Sequence, residues 1–474
     1  MAGSSRSLSL WLRSAKVRHA FAVSSVVLAT GGLVLARAPS PGGGISFPAA
    51  GSNAVSFAGP GAHGTLALSH RSVLAGTPTS VFAELKITAD AVEGRVAHAS
   101  TSLAVVLDTS GSMSGEKIED ARQSILKLLD RMQDDDEIAL IRYADASEVI
   151  QPLARVGLVR SSLQDRIRRL DVGGGTNIPG GLSGGLRALD EAARGRVKRI
   201  VLVSDGLDNT RTQAESLARS SAGNGITVSS LGIGLDFDES YMGGVAQSGH
   251  GNFAFLKDGG NMAKFLEREL DQTALTTVEN ATVRLELPRG MRLVSASGAE
   301  ASSNGEAIEL RLGALFAGDE RRVIVELASD GDGGEVNATA TWQRVGGTAQ
   351  TARIPMLEVT SSSSVADVQR GRDGVVLASA TSVLASKRQL EANEAYAKGD
   401  VATATRLAAQ NEIALGVAAR AAPAAAPALA AQSSNYTAQK RAFGAVAPSS
   451  NEGKAAAKSG AMKDLENMKR AESF

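Results

Sequence analysis

The chain has no cysteine in its 474 residues. Disulfides, thiolate metal sites and cysteine nucleophiles are therefore excluded. Exported proteins need no disulfide, so this absence fixes no compartment. Histidine is also scarce. Five are present, at positions 19, 63, 70, 98 and 250. No two stand at ligand spacing, so a histidine-based zinc site is not expected. His250 lies in Ser248-Gly249-His250-Gly251-Asn252, which reads as a turn. Aromatic residues make up only 4% of the chain, and Lys plus Arg equals Asp plus Glu at 50 each. No basic stripe with interleaved aromatics is present, which argues against a nucleic-acid partner.

Apolar residues make up an ordinary 43%, and the length calls for two or three domains. Arg6, Arg13, Lys16 and Arg18 form a basic region without an acid, followed by an apolar stretch from Ala20 to Ala36. Ala36-Arg37-Ala38 then offers small residues at a cleavage spacing. Residues 1–38 are thus expected to be a signal peptide or a retained membrane anchor. Either places the remainder outside the cytoplasm: periplasmic, on the cell surface or secreted. Membrane contact is expected only through that anchor.

Residues 39–60 are rich in Gly, Pro, Ser and Ala and read as a linker. Residues 61–98 contain strand patterns, such as Ser80-Val81-Phe82-Ala83-Glu84-Leu85-Lys86-Ile87. Residues 99–277 alternate apolar strand runs with amphipathic helical segments. In 116–132, Ile118, Ala121, Ile125, Leu128, Leu129 and Met132 share one face. This alternation predicts an α/β fold, a doubly wound and mostly parallel sheet with helices on both faces. The acidic run Asp134-Asp135-Asp136-Glu137 reads as a solvated turn before a strand, with a calcium role as the alternative.

Residues 278–360 carry short period-two strands separated by Gly, Asn and Asp turns, which predicts a flanking β-sandwich. The 61–98 segment is expected to pack with it. Residues 364–420 read as a helical hairpin turning near Gly399-Asp400. Residues 421–474 read as a low-complexity linker, Ala421 to Ala431, and an exposed tail, with Ser449 to Phe474 expected as one exposed helix of mixed charge.

The chemistry concentrates at the predicted strand ends. Leu103-Ala104-Val105-Val106-Leu107 is an apolar strand that ends in Asp108-Thr109-Ser110-Gly111-Ser112. Ligands of open α/β sheets bind at the carboxyl ends of strands. A carboxylate and two hydroxyls at alternate positions are hard oxygen donors suited to Mg²⁺. Gly173-Gly174-Gly175-Thr176-Asn177 presents a further hydroxyl before a helix. Arg199-Ile200-Val201-Leu202-Val203 ends in Ser204-Asp205-Gly206. Singly, each polar residue reads as a helix cap or a turn residue. Together they supply five oxygen-bearing side chains at strand ends.

Asp108-Thr109-Ser110-Gly111 is similar to an aspartic protease loop, but that loop wants glycine where Ser110 stands. An aspartyl-phosphate loop wants a second aspartate at the same place. Asp-x-Ser-x-Ser, Gly-Gly-Thr-Asn and Ser-Asp-Gly, in this order and rough spacing, resemble the von Willebrand factor type A domain and its metal-ion-dependent adhesion site. The resemblance covers about 180 residues, and the matched motifs do not depart from the family pattern. It implies that Asp108, Ser110, Ser112, Thr176 and Asp205 hold a divalent metal, Mg²⁺ or Mn²⁺, with Ca²⁺ as an alternative. It further implies an open coordination position that accepts an exposed Asp or Glu of a protein partner.

The expected function is non-enzymatic, divalent-cation-dependent protein binding. Alternatives are an assembly subunit that cooperates with an ATPase, or a structural metal without ligand capture. A Lewis-acid enzyme is disfavoured, because no cysteine, motif histidine or Gly-x-Ser-x-Gly elbow accompanies the site.

Overall fold

A computed structural model describes residues 53–91, 99–193, 195–206, 208–257 and 261–469. The expected signal or anchor, most of the expected linker and residues 92–98 lie outside the described residues. Among the described residues, no helix is long and apolar enough to cross a membrane.

The first four strands are β1 (Ala54–Gly59), β2 (Ala62–Leu68), β3 (Ser72–Leu74) and β4 (Thr79–Ala89). Strand β1 falls within the stretch expected to be linker. It pairs with β2 from Ala54↔Ala67 to Gly59↔Ala62, so a Gly- and Ala-rich sequence becomes strand through its hairpin partner.

The chain then enters the central domain. Its strands are β5 (Thr101–Asp108), β6 (Glu137–Tyr143), β7 (Ser147–Arg155), β8 (Val197–Ser204), β9 (Ile226–Ile233) and β10 (His250–Leu256). They form one sheet in the order β10-β9-β8-β5-β6-β7. Every pairing is parallel except that of β6 with the edge strand β7. Strand β5 is buried along its whole length, as a central parallel strand covered on both faces must be. Helices α1 (Glu116–Arg131), α2 (Val156–Arg168) and α6 (Met262–Ala274) cover one face. Helices α3 (Ile178–Asp190), α4 (Arg211–Gly223) and α5 (Glu239–Ser248) cover the other.

In α1 the apolar stripe Ile118, Ala121, Ile125, Leu128 and Leu129 is buried. Each full-size member contributes roughly 1.5–3 kcal/mol by leaving water. Helix α3 lies unusually close to the sheet. A Cβ on Gly181 would meet the Tyr143 ring at 2.6 Å, so only glycine permits this approach. The acidic run before β6 is not a solvated turn throughout. Asp136 is buried and accepts from the backbone N–H of Thr101 and Gln133, while Asp134 and Asp135 pair with Arg160 and Arg196. Its carboxylates tie the start of β5 to the turn before β6.

Seven further strands follow: β11 (Thr276–Glu286), β12 (Met291–Ser297), β13 (Glu300–Ser303), β14 (Ala307–Phe316), β15 (Glu320–Ser329), β16 (Gly334–Arg344) and β17 (Ala349–Ser362). They complete two sheets with the first four, ordered β1-β2-β4-β15-β12 and β13-β14-β11-β16-β17-β3. Strands β4 and β15 pair antiparallel from Thr79↔Ser329 to Thr88↔Glu320. The inward Val81, Ala83, Leu85 and Ile87 meet Val323, Val325 and Leu327 in one core with residues of the other sheet, Trp342 among them. The α/β domain is therefore an insertion between two segments of one sandwich.

The chain closes in helices α7 (Val365–Arg370), α8 (Gly374–Ala397), α9 (Val401–Ala421), α10 (Ala426–Ala445) and α11 (Asn451–Lys469). Helices α8 and α9 turn at Gly399, with the Asp400 carboxylate accepting from Thr403 N–H at 3.0 Å. Residues 426–469 correct the expectation of a linker and exposed tail. Helices α10 and α11 are packed, burying Leu429, Tyr436, Phe443, Ala457, Ala461 and Met468. Much of their interior contact is polar. Gln432 Nε2 donates to Ser386 Oγ at 3.1 Å, Asn467 Nδ2 donates to the same oxygen at 2.8 Å, and Tyr436 donates to Asp464 at 2.5 Å. Alanine contacts and satisfied amides replace large apolar residues here, so the sequence shows little hydrophobic periodicity.

Candidate metal centre at the carboxyl edge of the central sheet

Parallel strands β5 and β8 bring their carboxyl ends side by side, because Leu107 pairs with Val203. The next residues in each strand are Asp108 and Ser204, with Asp205 just beyond. The loop after β5 makes a single 3₁₀ turn, Gly111–Met113, before α1. Backbone bonds stitch this loop to its neighbours. Thr109 N–H donates to Tyr143 O at 2.8 Å, Gly173 N–H to Thr109 O at 2.8 Å and Gly111 N–H to Gly174 O at 3.1 Å. The Asp-x-Ser-x-Ser loop and the glycine loop are thereby held against each other.

Side-chain bonds link the oxygens into a chain. Asp108 is fully buried; one oxygen accepts from Ser110 N–H at 2.8 Å and the other from Ser204 Oγ at 2.7 Å. Ser110 Oγ lies 3.0 Å from Ser112 Oγ, and Ser112 Oγ donates to Asp205 Oδ1 at 2.8 Å. Asp205 Oδ2 accepts from the Lys117 ammonium, which also donates to Ser112 O at 3.2 Å. Thr176 stands beside Gly206. A Cβ on residue 206 would lie 2.5 Å from Thr176 Oγ1, so this cradle exists only with glycine there.

The Thr176 loop is itself fixed. Asp145 Oδ1 accepts from Gly175 N–H at 3.0 Å, Asp208 Oδ2 accepts from Ile178 N–H at 2.8 Å, and Asn177 caps α3 through Gly180 N–H at 2.9 Å. Burial pushes the Asp108 carboxyl above the usual carboxylate range, its hydrogen bonds from Ser110 and Ser204 pull it back, and the Asp205 charge raises it. Burial and then the Asp108 charge push the Tyr143 phenol well above its ordinary value.

Asp108, Ser110, Ser112 and Asp205 thus form one hydrogen-bonded string, and Thr176 lies against Gly206, the residue after Asp205. Among the described residues, no group of three or more His, Asp or Glu side chains is gathered for a metal, so any ion here relies on hydroxyls as well as carboxylates. Two carboxylates and three hydroxyls are a hard, dianionic donor set. They fit an oxygen-preferring divalent cation and no soft one.

Sequence reasoning missed Lys117. The available signal was its place in the first turn of α1, where the helix dipole disfavours a cation. Ser204 was quoted in the Ser-Asp-Gly segment, but its bond to Asp108 was not foreseen. His250 was expected in a turn, but the turn ends at Gly249: His250 opens β10, paired with Val228, at φ 56°.

Residues 102–268 match the family model of the von Willebrand factor type A domain. Over 283 residues the chain is 27% identical to an uncharacterized protein of Synechocystis sp., covering 56% of this chain and 66% of that protein. It is 29% identical over 197 residues to the uncharacterized protein YfbK of Escherichia coli, covering 39% of this chain and 33% of that one. It is 26% identical over 157 residues to inter-alpha-trypsin inhibitor heavy chain H1 of Mesocricetus auratus, covering 30% of this chain and 17% of the heavy chain. The matches thus span less than two thirds of each of these relatives.

Among solved structures, a von Willebrand factor type A protein from Catenulispora acidiphila superposes with a TM-score of 0.64, covering 90% of this chain and 100% of that chain at 19% identity. The ArnB paralog VWA2 from Sulfolobus acidocaldarius superposes with a TM-score of 0.61, covering 86% and 98% at 15% identity. At these identities the likeness is one of fold, and it extends over the flanking sandwich and helices. The chain therefore carries a von Willebrand factor type A domain over residues 102–268.

Proposed function

We propose that this chain is an exported, non-enzymatic protein-binding module whose A domain captures a partner through a divalent cation. The observation that carries the reading is the string Asp108–Ser110–Ser112–Asp205 at the carboxyl edge of the sheet, with Thr176 cradled beside it. These five residues would hold Mg²⁺ or Mn²⁺, with Ca²⁺ as an alternative. The bound ion would supply an electrophilic position for a partner's Asp or Glu carboxylate. Asp108 does not need to search for its rotamer, because Ser110 N–H and Ser204 Oγ fix both of its oxygens. Three of the five ligands are neutral, which leaves positive charge on the ion to attract an acidic partner. A carboxylate–metal contact buried under an interface rim is a charged hot spot.

Export rests on the basic-then-apolar start of the sequence. The non-enzymatic reading rests on the groups bonded around the site, which are carboxylates, hydroxyls, backbone amides and one paired lysine. Capture of an immobilised glutamate-rich peptide, with Mg²⁺ and with chelator, tests the proposal. Retention that chelator abolishes and Thr176→Ala weakens supports it. Retention indifferent to chelator removes it.

A further inference from the structure

We infer that Lys117 is a built-in counter-cation of this centre: its ammonium holds Asp205 when no metal is bound, must leave for a divalent ion to bind, and so sets the metal affinity. The inference rests on the metal-binding reading above. Lys117 is the second residue of α1. Its side chain is 30% exposed, so it reaches inward from the rim, whereas the Asp205 side chain is inaccessible. Its Nζ engages Asp205 Oδ2 and Ser112 O, and these two residues both belong to the donor set. A lysine in the first helical turn works against the helix dipole. Its position there is compensated by Asp205, whose buried charge in turn needs a partner.

Charge counting gives the consequence. Asp108 and Asp205 with Lys117 carry one net negative charge; without Lys117 they carry two. A divalent ion meets the full attraction of both carboxylates only if the ammonium withdraws.

The structure also supplies a destination for it. Gly234, in the loop between β9 and α5, lies so close that a Cβ there would be 3.4 Å from both Cε and Nζ of Lys117. Two residues further on, Asp236 is held below the usual carboxylate range first by its bond from Lys454, and also by the charges of Lys454, Lys117 and Lys458. Lys117 thus already lies within the field of a second, largely exposed carboxylate. The ammonium is bonded to Asp205 inside the donor set, and Asp236, outside it, is the acid whose charge would attract it once a divalent ion displaces it. Lys454 of α11 competes for the outer one at 2.8 Å.

Calorimetric titration of Mg²⁺ into the full chain tests this, with wild type, Lys117→Met, Asp236→Asn and the double variant compared. Lys117→Met is expected to bind Mg²⁺ at least about tenfold more tightly, a change of roughly 1.4 kcal/mol. In chelator its Tm is expected to fall, because buried Asp205 loses its partner. Asp236→Asn is expected to weaken binding by roughly two- to fivefold, as loss of an exposed pairing site would. In the Lys117→Met background the Asp236 change is expected to have no effect. Lys117→Arg keeps the charge and is expected to stay near wild type, which separates charge from packing if the methionine variant does not fold.

Equal or weaker Mg²⁺ binding by Lys117→Met, beside a wild type that binds, overturns the inference and leaves the metal-binding reading intact. No binding by any variant overturns both.

Discussion

Ser112 Oγ donates to Asp205 Oδ1 at 2.8 Å across 93 residues of sequence. This bond joins the loop after β5 to the end of β8. It depends on the parallel pairing of those strands, which sets Leu107 beside Val203. Register in the sheet core therefore decides whether the oxygens at its edge converge. A slip of one residue along β8 would turn Asp205 to the other face and dissolve the cluster.

Gly206→Ala tests the cradle. Its Cβ would lie 2.5 Å from Thr176 Oγ1, so the threonine must withdraw. Expected is a loss of Mg²⁺ affinity of about tenfold, equivalent to one lost ligand contact of ~1.4 kcal/mol. Far-ultraviolet circular dichroism should not change, because residue 206 lies in a loop. Unchanged affinity would mean that Thr176 is not a ligand.

Lys458→Ala tests how α11 is held. Lys458 Nζ donates to Glu239 at 2.7 Å and to Phe237 O at 2.5 Å, and it lies 4.2 Å from the Phe237 ring centroid. The pair is almost completely buried. Removing the lysine leaves an uncompensated carboxylate, and losses of that kind run to ~3–5 kcal/mol. Urea denaturation measures this. A loss under ~1 kcal/mol, the range of an exposed pair, would indicate that α11 does not pack on α5 as described.

The legibility of this chain varied with the physics of each part. Apolar strands ending in small polar loops mark an α/β sheet edge, and the resemblance of those loops to the A-domain motifs singled out Asp108, Ser110, Ser112, Thr176 and Asp205, of which the structure joins Asp108, Ser110, Ser112 and Asp205 by hydrogen bonds. Period-two runs marked the sandwich, and the strand pattern at Ser80–Ile87 indicated where its missing strand lay. Helix α10 was not foreseen and α11 was expected as an exposed helix, because the two bury Gln432, Asp464 and Asn467 beside alanines. A polarity pattern cannot separate a satisfied amide from an exposed one. Lys117 was overlooked because its role depends on a partner 88 residues away.

Asp464 predicts a pH dependence of stability. Burial pushes its carboxyl from 3.8 up to about 8. The native state therefore retains a proton that the unfolded chain has released between these values. The contribution is complete below 3.8 and is lost as pH rises through about 8. His70 and His250 act in the opposite sense at lower pH. Burial lowers both from 6.5 to about 4, so stability falls as pH drops through that window. Above pH 6.5 the Asp464 limb is the clearer of the two. Stability should decline there by up to ~1.4 kcal/mol per pH unit, and Asp464→Asn should flatten the decline. An equal decline in the variant would assign it to other groups.

The central claim is that the edge of this sheet binds a divalent ion through Asp108. The most direct measurement is calorimetric titration of Mg²⁺ and Mn²⁺ into the full chain, wild type beside Asp108→Ala. The account predicts saturable one-site binding to wild type and none to the variant. It also predicts a metal-free Tm for the variant equal to or above that of wild type, because the buried Asp108 charge is costly without a cation. Binding that survives Asp108→Ala, or a wild type that binds neither ion, would contradict it.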